Sequence, residues 1–483
     1  MLSPRCAKGV LLFVLIQLKF QAKSQMCRGS VENNMRLKKA GFPDGLSIEE
    51  SYMKRAIVLA RRGEGFVNPN PMVGAVIVKS GAIIGEGYHK GVGLAHAERD
   101  ALAGFREVPE GAEMFVTLEP CCHYGKTPPC TEAIIESGIK KVYVGCLDPN
   151  PKVSGKGVEV LRKHGIEVKT GVLQEECEAL NKVFFHYIQN NMPYVILKYA
   201  MTMDGKIATT SGKSKWITGE LARGRVHLDR HRYMGIMVGV GTVLADDPRL
   251  DCRLSDSTIG RMIDIGENIE TDEKVRKTNC GSDEDLRDES LFGNEYREPI
   301  RIICDTHLRT PLSAQVVETA REQRTWIATC EKDVEKWKPY QEKGCEIILL
   351  PLKKMSVTKS ELNLEQLSLE CNEHEEFFEQ IKGEGVSVVD IKALLVELSK
   401  REIDSVILEG GSALNGSFLD AGLVNRVQCY IAPKLFGGLN AKSPIGGVGV
   451  AFPKDGIRLS HPTVEVLGDD LLLESEVLSC LQE

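Results

Sequence analysis

A chain of 483 residues, 42% apolar and 27% charged, is too long for one ordinary core and has a globular balance, which excludes a disordered or membrane-embedded chain and points to two domains. A formal net charge of −7 gives no general attraction to a phosphate backbone, so nucleic acid is not expected as partner and a small-molecule substrate is favoured. The fifteen cysteines are odd in number and often sit in apolar runs such as "VYVGCLD" and "RIICD", the usage of reduced, buried thiols.

Residues 1–45 read as a targeting leader. They are basic, hold an apolar run from Val10 to Leu18, and have no acidic residue before Glu32. That run is too short to span a bilayer, which leaves a secretory signal or an organelle presequence; the free-thiol pattern favours an organelle, plastid or mitochondrion. A first domain, 46–190, opens at "SIEESYMKRAIVLARRG", where Ser47 and Glu50 form a capping box ahead of a helical apolar pattern. "VGAVIVK" and "AIIGEGYH" form a hairpin of strands. Helix "AERDALAGF", strand "EMFVTLE", helix "TEAIIESG", strand "KKVYVGC" and helix "GKGVEVLRKHG" follow, an alternation that predicts a three-layer α/β sandwich.

The chemistry concentrates between residues 94 and 130. "HAE" puts His96 and Glu98 at a helix start, Cys121 follows a strand, and Cys130 begins another helix, where the helix dipole favours a thiolate. Three N/S donors hold zinc tetrahedrally and leave a fourth position to water, the arrangement of a catalytic site. Glu98, not needed as a ligand, is then free to shuttle protons, which is the division of labour in zinc-dependent deamination. The general deaminase signature has a second cysteine at Cys-x-x-Cys spacing; here Tyr124 stands there, and the second thiolate is Cys130. Cys122 as a fourth, structural ligand is the alternative, and a small filler the blander reading.

The longer form "TLEPCCHYGKTPPC", with "NPNPMVGAVIV", "GEGYHKGVGLAHAE" and "CLDPNPKVSGKG", resembles the riboflavin-biosynthesis deaminases, over roughly Glu49 to Asn190. The resemblance implies a cytidine-deaminase-like fold, zinc ligands His96, Cys121 and Cys130, and Glu98 as proton shuttle. It places Asn70, His89, His123 and Lys126 around a pyrimidine ribosyl phosphate, with Asp148 and Asn150 nearby. Each is also readable as an ordinary surface or satisfied polar residue.

The second domain, 191–483, begins after "QEECEALNKVFFHYIQN". Strands are expected at "YVILKYA", "GIMVGVG", "IRIICD", "TWIATC", "EIILLP", "SVILEGG" and "RVQCYIAPKLFGG", and helices at "ELARGRVHLDRHR" and "DIKALLVELSKRE", giving a mostly parallel α/β sheet. The Rossmann G-x-G-x-x-G fingerprint is missing, while "LEGGSALNGSFLDAGL" offers a strand, a glycine turn and a helix start that backbone N–H groups can present to a phosphate. "LKYAMTMDGKIAT", "SKWITG", "VGVGTVLADDPRLDCR" and "ILEGGSALNGSFL" together resemble the riboflavin-biosynthesis reductases, which have a dihydrofolate-reductase-like fold. That resemblance implies NADPH contacts at Ala200, Trp216, Thr242, Asp246, Thr306 and Gly411. It implies substrate contacts at Lys198, Ser214, Arg230, Leu250, Arg253 and Glu409. Trp216 reads equally as a core aromatic, and Asp246 with Asp247 as caps of a turn before Pro248.

Residues 255–297 and 353–388 fall outside both resemblances; acid-rich and poor in large apolar residues, they read as mobile insertions. His374 in "NEHEE" reads as part of a solvated charge run rather than a metal site. The expected protein is therefore a two-step enzyme of riboflavin biosynthesis, a zinc deaminase feeding an NADPH reductase, assembled as a homo-oligomer and without a membrane span. Three alternatives stand beside it: one domain catalytically dead, a nucleic-acid or nucleoside deaminase, or a non-catalytic interaction protein that keeps the motifs as scaffold.

Overall fold

The computed structural model describes residues 46–105, 107–125, 127–150, 153–254, 296–354, 387–447, 449–450 and 452–478. The leader, Lys126, His374 and most of both expected insertions lie outside the described residues. None of the described helices is long and apolar enough to cross a membrane.

The first half starts with α1 (Ile48–Arg61), whose Ser47 hydroxyl accepts from Glu50 N at 3.2 Å while the Glu50 carboxylate accepts from Ser47 N at 2.7 Å. The expected capping box is formed. Then come β1 (Gly74–Lys79), β2 (Ala82–Tyr88), α2 (Ala97–Leu102), β3 (Glu113–Leu118), α3 (Cys130–Ser137), β4 (Lys141–Cys146), α4 (Lys156–Lys163) and β5 (Glu167–Thr170). The strands lie in the order β2-β1-β3-β4-β5, antiparallel around β1 and parallel from β3 onward. Glycine spacing explains how helices cover both faces. A Cβ on Gly74 would lie 2.0 Å from Ala56 O of α1, and one on Gly87 would lie 2.2 Å from Ala101 N of α2. Gly87 is the register partner of Ala75, whose side chain points away from that of Gly74, so α1 and α2 press on opposite faces. The result is the three-layer sandwich, with Ala75, Ile77, Ala97, Ala101, Ile134 and Leu161 sharing one core. Short β5 carries no alternating apolar signal in "EVKT", and it escaped the sequence reading.

Helices α5 (Gln174–Leu180) and α6 (Lys182–Asn190) lead into the second half. Its elements are β6 (Tyr194–Thr202), α7 (Glu220–Arg232), β7 (Gly235–Gly239), α8 (Val240–Asp246), β8 (Ile300–Cys304), α9 (Gln315–Glu318), β9 (Thr325–Thr329), α10 (Val334–Glu342) and β10 (Glu346–Leu349). A small antiparallel pair, β11 (Leu352–Lys354) and β12 (Ser387–Val389), precedes α11 (Ile391–Lys400), β13 (Ser405–Leu408), α12 (Ser412–Asp420), β14 (Arg426–Ala432), β15 (Thr463–Leu467) and β16 (Asp470–Glu476). Nine strands run β10-β9-β8-β7-β13-β6-β14-β16-β15. All pairs from β10 to β14 are parallel, while β14-β16 and β16-β15 are antiparallel. Buried on both faces, the parallel strands are mainly apolar, and the buried polar groups among them, such as Arg301 in β8, are hydrogen-bonded. One core joins Val195, Leu197, Ile302, Trp326, Leu394 and Leu408; the other joins Ile236, Val238, Ile303, Val317, Ile327 and Ile407.

Arg297 N donates to His231 Nδ1 at 3.1 Å, and Lys354 and Ser387 are register partners in the β11-β12 pair.

Candidate active sites

In the first half, strand ends and helix starts converge as expected for an α/β fold. His96 is the residue before α2, Cys121 follows β3, and Cys130 opens α3. His96 Nδ1 lies 3.3 Å from Cys130 Sγ and 3.5 Å from Cys121 Sγ, and the three donor atoms all lie within 4.8 Å of one another. Nitrogen and sulfur donors at tetrahedral angles around one zinc, with bonds of roughly 2.0 and 2.3 Å, stand about 3.5 Å apart, so the set fits the ion. Cys130 N also donates to Cys121 Sγ at 3.3 Å. The Cys121 thiol is held down to about 4, first by the hydrogen bond from Cys130 and then, against burial, by His96, which makes Cys121 the sulfur that ionises first. Cys122 is outside this cluster.

Glu98 sits on the first turn of α2, buried, and is likewise not part of the donor cluster. Burial, then the nearby Cys121, pushes its carboxyl up to about 6, so it is poised to hold or release a proton near neutrality. His89 closes the other side: its ring is 5.3 Å from that of His96, and burial lowers its pKa, keeping it neutral. Nδ1 of His89 meets Ala95 O at 3.1 Å, so Nε2 is the acceptor for Asn70 Nδ2 at 3.2 Å. Asp148 is buried, accepts from Asn150 N at 2.8 Å, and is pushed up to about 6 by burial. His123 is exposed on the loop before Lys126.

Two supporting residues escaped the sequence reading. Thr127 Oγ1 lies 3.3 Å from His96 Nε2, fixing the ring with Nδ1 toward the sulfurs. Glu119, buried, accepts from the backbone N–H groups of Asp148, Gly155 and Val158 at 3.3, 2.8 and 3.1 Å, tying down the loop that carries Asp148 and Asn150. The one sequence signal was a carboxylate immediately after an apolar strand.

The second site opens at the carboxyl edge of the nine-stranded sheet, beside the central β13. A cavity of about 330 Å³ is lined by Ala200, Trp216, Thr242, Asp246 and Gly411, and by Lys198, Ser214, Arg230, Arg253 and Glu409. Leu250 and Thr306 do not line it. Leu250 packs in the apolar core, and Thr306 Oγ1 accepts from Val389 N at 3.2 Å. Ser214 Oγ donates to Asp246 at 2.7 Å. Glu409, immediately after β13, is gripped by Arg230 through two hydrogen bonds of 2.8 and 3.0 Å and faces Lys198 Nζ at 3.4 Å. Burial would raise its carboxyl, but the charges of Arg230 and Lys198 overcome that and hold it at about 2. Arg230 therefore serves Glu409 rather than standing free for a phosphate; its Nη1 donates to Asp251 O at 2.9 Å as well. Arg253 differs: its side chain is 60% exposed, and its pairing with Asp251, at 3.1 Å, is weak enough to exchange for an anionic ligand. His227 was missed; it lines the cavity, accepts Arg253 N at Nδ1, and is pushed down to about 4 by burial and then by Arg230 and Arg253.

Donors that fit zinc around a buried carboxyl, followed in the same chain by a charged cavity at the carboxyl edge of a parallel sheet, define a zinc-type deaminase joined to a reductase. Residues 46–146 match the family described as the cytidine and deoxycytidylate deaminase zinc-binding region, and residues 193–473 match the RibD C-terminal domain. The chain is 45% identical over 430 residues to the riboflavin biosynthesis protein RibD of Actinobacillus pleuropneumoniae, covering 89% of this chain and 96% of that protein. Identity to RibD of Aquifex aeolicus is 38% over 427 residues, with 88% and 98% covered. Among solved structures, RibD of Acinetobacter baumannii has a TM-score of 0.68 at 31% identity. A diaminohydroxyphosphoribosylaminopyrimidine deaminase/5-amino-6-(5-phosphoribosylamino)uracil reductase of Thermotoga maritima has 0.66 at 36%. Each of these two structures covers 89% of this chain and 99% of its own. The chain belongs to the RibD family of riboflavin biosynthesis proteins, bifunctional enzymes with a zinc-binding deaminase domain ahead of a reductase domain.

Proposed function

We propose that the first half, within 46–190, deaminates 2,5-diamino-6-(5-phosphoribosylamino)pyrimidin-4(3H)-one, and that the second, within 191–483, uses NADPH to reduce the ribosyl group to a ribityl chain. The observation that carries the first step is the buried Glu98 beside, and not within, the His96, Cys121 and Cys130 donor set. When bound there, zinc supplies the positive charge that makes water nucleophilic at neutral pH. Glu98 takes the proton that water loses on attacking the ring carbon, and passes protons to the departing amine. Neutral His89, held by Asn70, orients the pyrimidine, with His123, Lys126, Asp148 and Asn150 completing the substrate surroundings.

In the second step NADPH supplies hydride, with Ala200, Trp216, Thr242, Asp246 and Gly411 as the proposed contacts. Hydride addition at the ribosyl carbon opens the sugar, and its ring oxygen then needs a proton. Lys198 Nζ, held beside ionised Glu409, is a donor in the cavity where that charge develops. Arg253, exposed on the cavity wall that Ser214 also lines, is the phosphate partner. We also propose that residues 1–45 direct the chain to an organelle and that the enzyme works as a homo-oligomer.

Glu98→Gln tests the first step. Expected are about one zinc per chain, ammonia release down by ~10²-fold or more, and NADPH oxidation unchanged when the deaminated compound is supplied. Zinc loss in this variant makes Glu98 a ligand; normal ammonia release moves the proton shuttle to another residue, His123 first.

A further inference from the structure

The loop from Gly63 to Asn70 belongs to the deaminase half and delivers Asn70 to His89, yet groups from the reductase half hold it at four points. Asn68 Nδ2 donates to Asp404 Oδ2 at 2.7 Å, and Asp404 is buried at the entrance to β13. Glu64 pairs with Arg232 Nε at 2.9 Å. Arg297 Nη1 donates to Gly65 O at 3.4 Å. The Phe66 ring meets the edge of His231 at 4.8 Å, and a Cβ on Gly65, where φ is +81°, would lie 2.4 Å from His231 Nε2. One step further along the chain, Asn70 N donates back to Val67 O at 2.8 Å, so the side chain that reaches His89 is fixed by the same turn.

We infer that Asp404, Arg232 and His231 are positioning residues for deamination: the reductase half sets where Asn70 stands, and through it His89 beside the zinc donors. The physical reason is that within its own domain the loop is held by turn hydrogen bonds and by buried Val67, while the side chains of Glu64, Phe66 and Asn68 reach to the other half. A half-buried hydrogen bond to a carboxylate, an ion pair and an edge-on ring contact add restraint from the neighbouring domain. This inference rests on the reading of Asn70 as a substrate contact.

The test uses the full chain and two variants on opposite sides of the contact, Asn68→Ala and Asp404→Ala, chosen over Arg232 because α7 also carries Arg230. Each is expected to raise the KM for the diaminopyrimidine substrate about tenfold, with kcat little changed, zinc at one per chain, and NADPH oxidation within about twofold of the starting enzyme. Combined, they should do no more than either alone, and neither should add to Asn70→Ala. Unchanged deamination kinetics in Asn68→Ala, or effects that multiply fully with Asn70→Ala, overturn the inference. Should Asp404→Ala lose both activities, its fold has failed, and Asn68→Ala alone decides. Asn70→Ala by itself separates the failures. If it leaves deamination intact, the substrate reading of Asn70 falls and the inference with it; if it impairs deamination while Asn68→Ala does not, only the positioning role falls.

Discussion

Replacing Arg230 by alanine probes the most strongly perturbed carboxylate in the reductase site. Arg230 and Glu409 are 12% and 10% exposed, and the pair is bidentate, so removing the guanidinium leaves a buried carboxylate facing Lys198 alone. Breaking such a pair costs roughly 3–5 kcal/mol, which at about 2 °C per kcal/mol for a domain of this size lowers its Tm by about 6–10 °C at pH 7. The pH dependence fixes the mechanism. In the intact protein Glu409 is depressed from 4.5 to about 2, so its contribution is fully present above 4.5 and is lost only as pH falls through 2. Between pH 7 and 5 the intact chain therefore gains or loses nothing from this group. In Arg230→Ala, burial dominates and raises the carboxyl above its ordinary value, so the folded state takes up a proton first and stability rises as pH falls. Thermal unfolding of both proteins at pH 7 and pH 5 should show the gap in Tm narrowing toward the lower pH. A deficit under about 2 °C at pH 7, or a gap that is constant or wider at pH 5, would refute the assignment of Arg230 as the group that keeps Glu409 ionised.

Arg253→Ala should raise the reductase KM for the ribosyl phosphate substrate roughly 10-fold or more with kcat and Tm little changed, because an exposed pair contributes little to folding while a charged hydrogen bond to phosphate contributes ~1.5–3 kcal/mol to binding; an unchanged KM removes it from the site. Alanine at His96, Cys121 or Cys130 should abolish zinc retention and ammonia release together, as metal analysis of the purified variant will show, with NADPH oxidation preserved. Glu119→Ala unpairs three backbone N–H groups and should destabilise the deaminase half by a few kcal/mol while raising its KM; retention of full stability would mean that the Asp148 loop is held by other groups.

The zinc site was legible because its donors lie in two short segments, and each donor adjoins a helix start or a strand end whose periodicity is itself readable. The parallel strands were legible because burial on both faces keeps them mainly apolar, as in β7 and in β13 after Ser405. By contrast β15 escaped the reading although its Thr and Val residues favour a strand: at the sheet edge it exposes Val464 and Val466, so its apolar residues do not mark a buried face. Within the sites, residue type was readable but pairing was not. Arg230 and Arg253 look alike as phosphate partners in sequence, and only the fold shows one committed to Glu409 and the other exposed. Leu250 stands three residues before the cavity-lining Arg253, yet its side chain turns into the core, a choice of face that loop sequence does not encode. Thr127 and Glu119 act through others, and support of that kind leaves no spacing signature.

The small β11-β12 pair bears on how this chain can change length. Lys354 and Ser387 stand opposite each other, so whatever sequence joins them departs from and returns to one spot, already closed by the ladder beneath it. The entropy of closing such an excursion grows only with the logarithm of its length, about 0.6 kcal/mol per doubling. Residues can therefore be gained or lost between these two anchors at small thermodynamic cost, while α11 and β13 downstream keep their register. The pair works as a splice point in the architecture: a place where length can change while Glu409, at the far end of β13, keeps its position between Arg230 and Lys198.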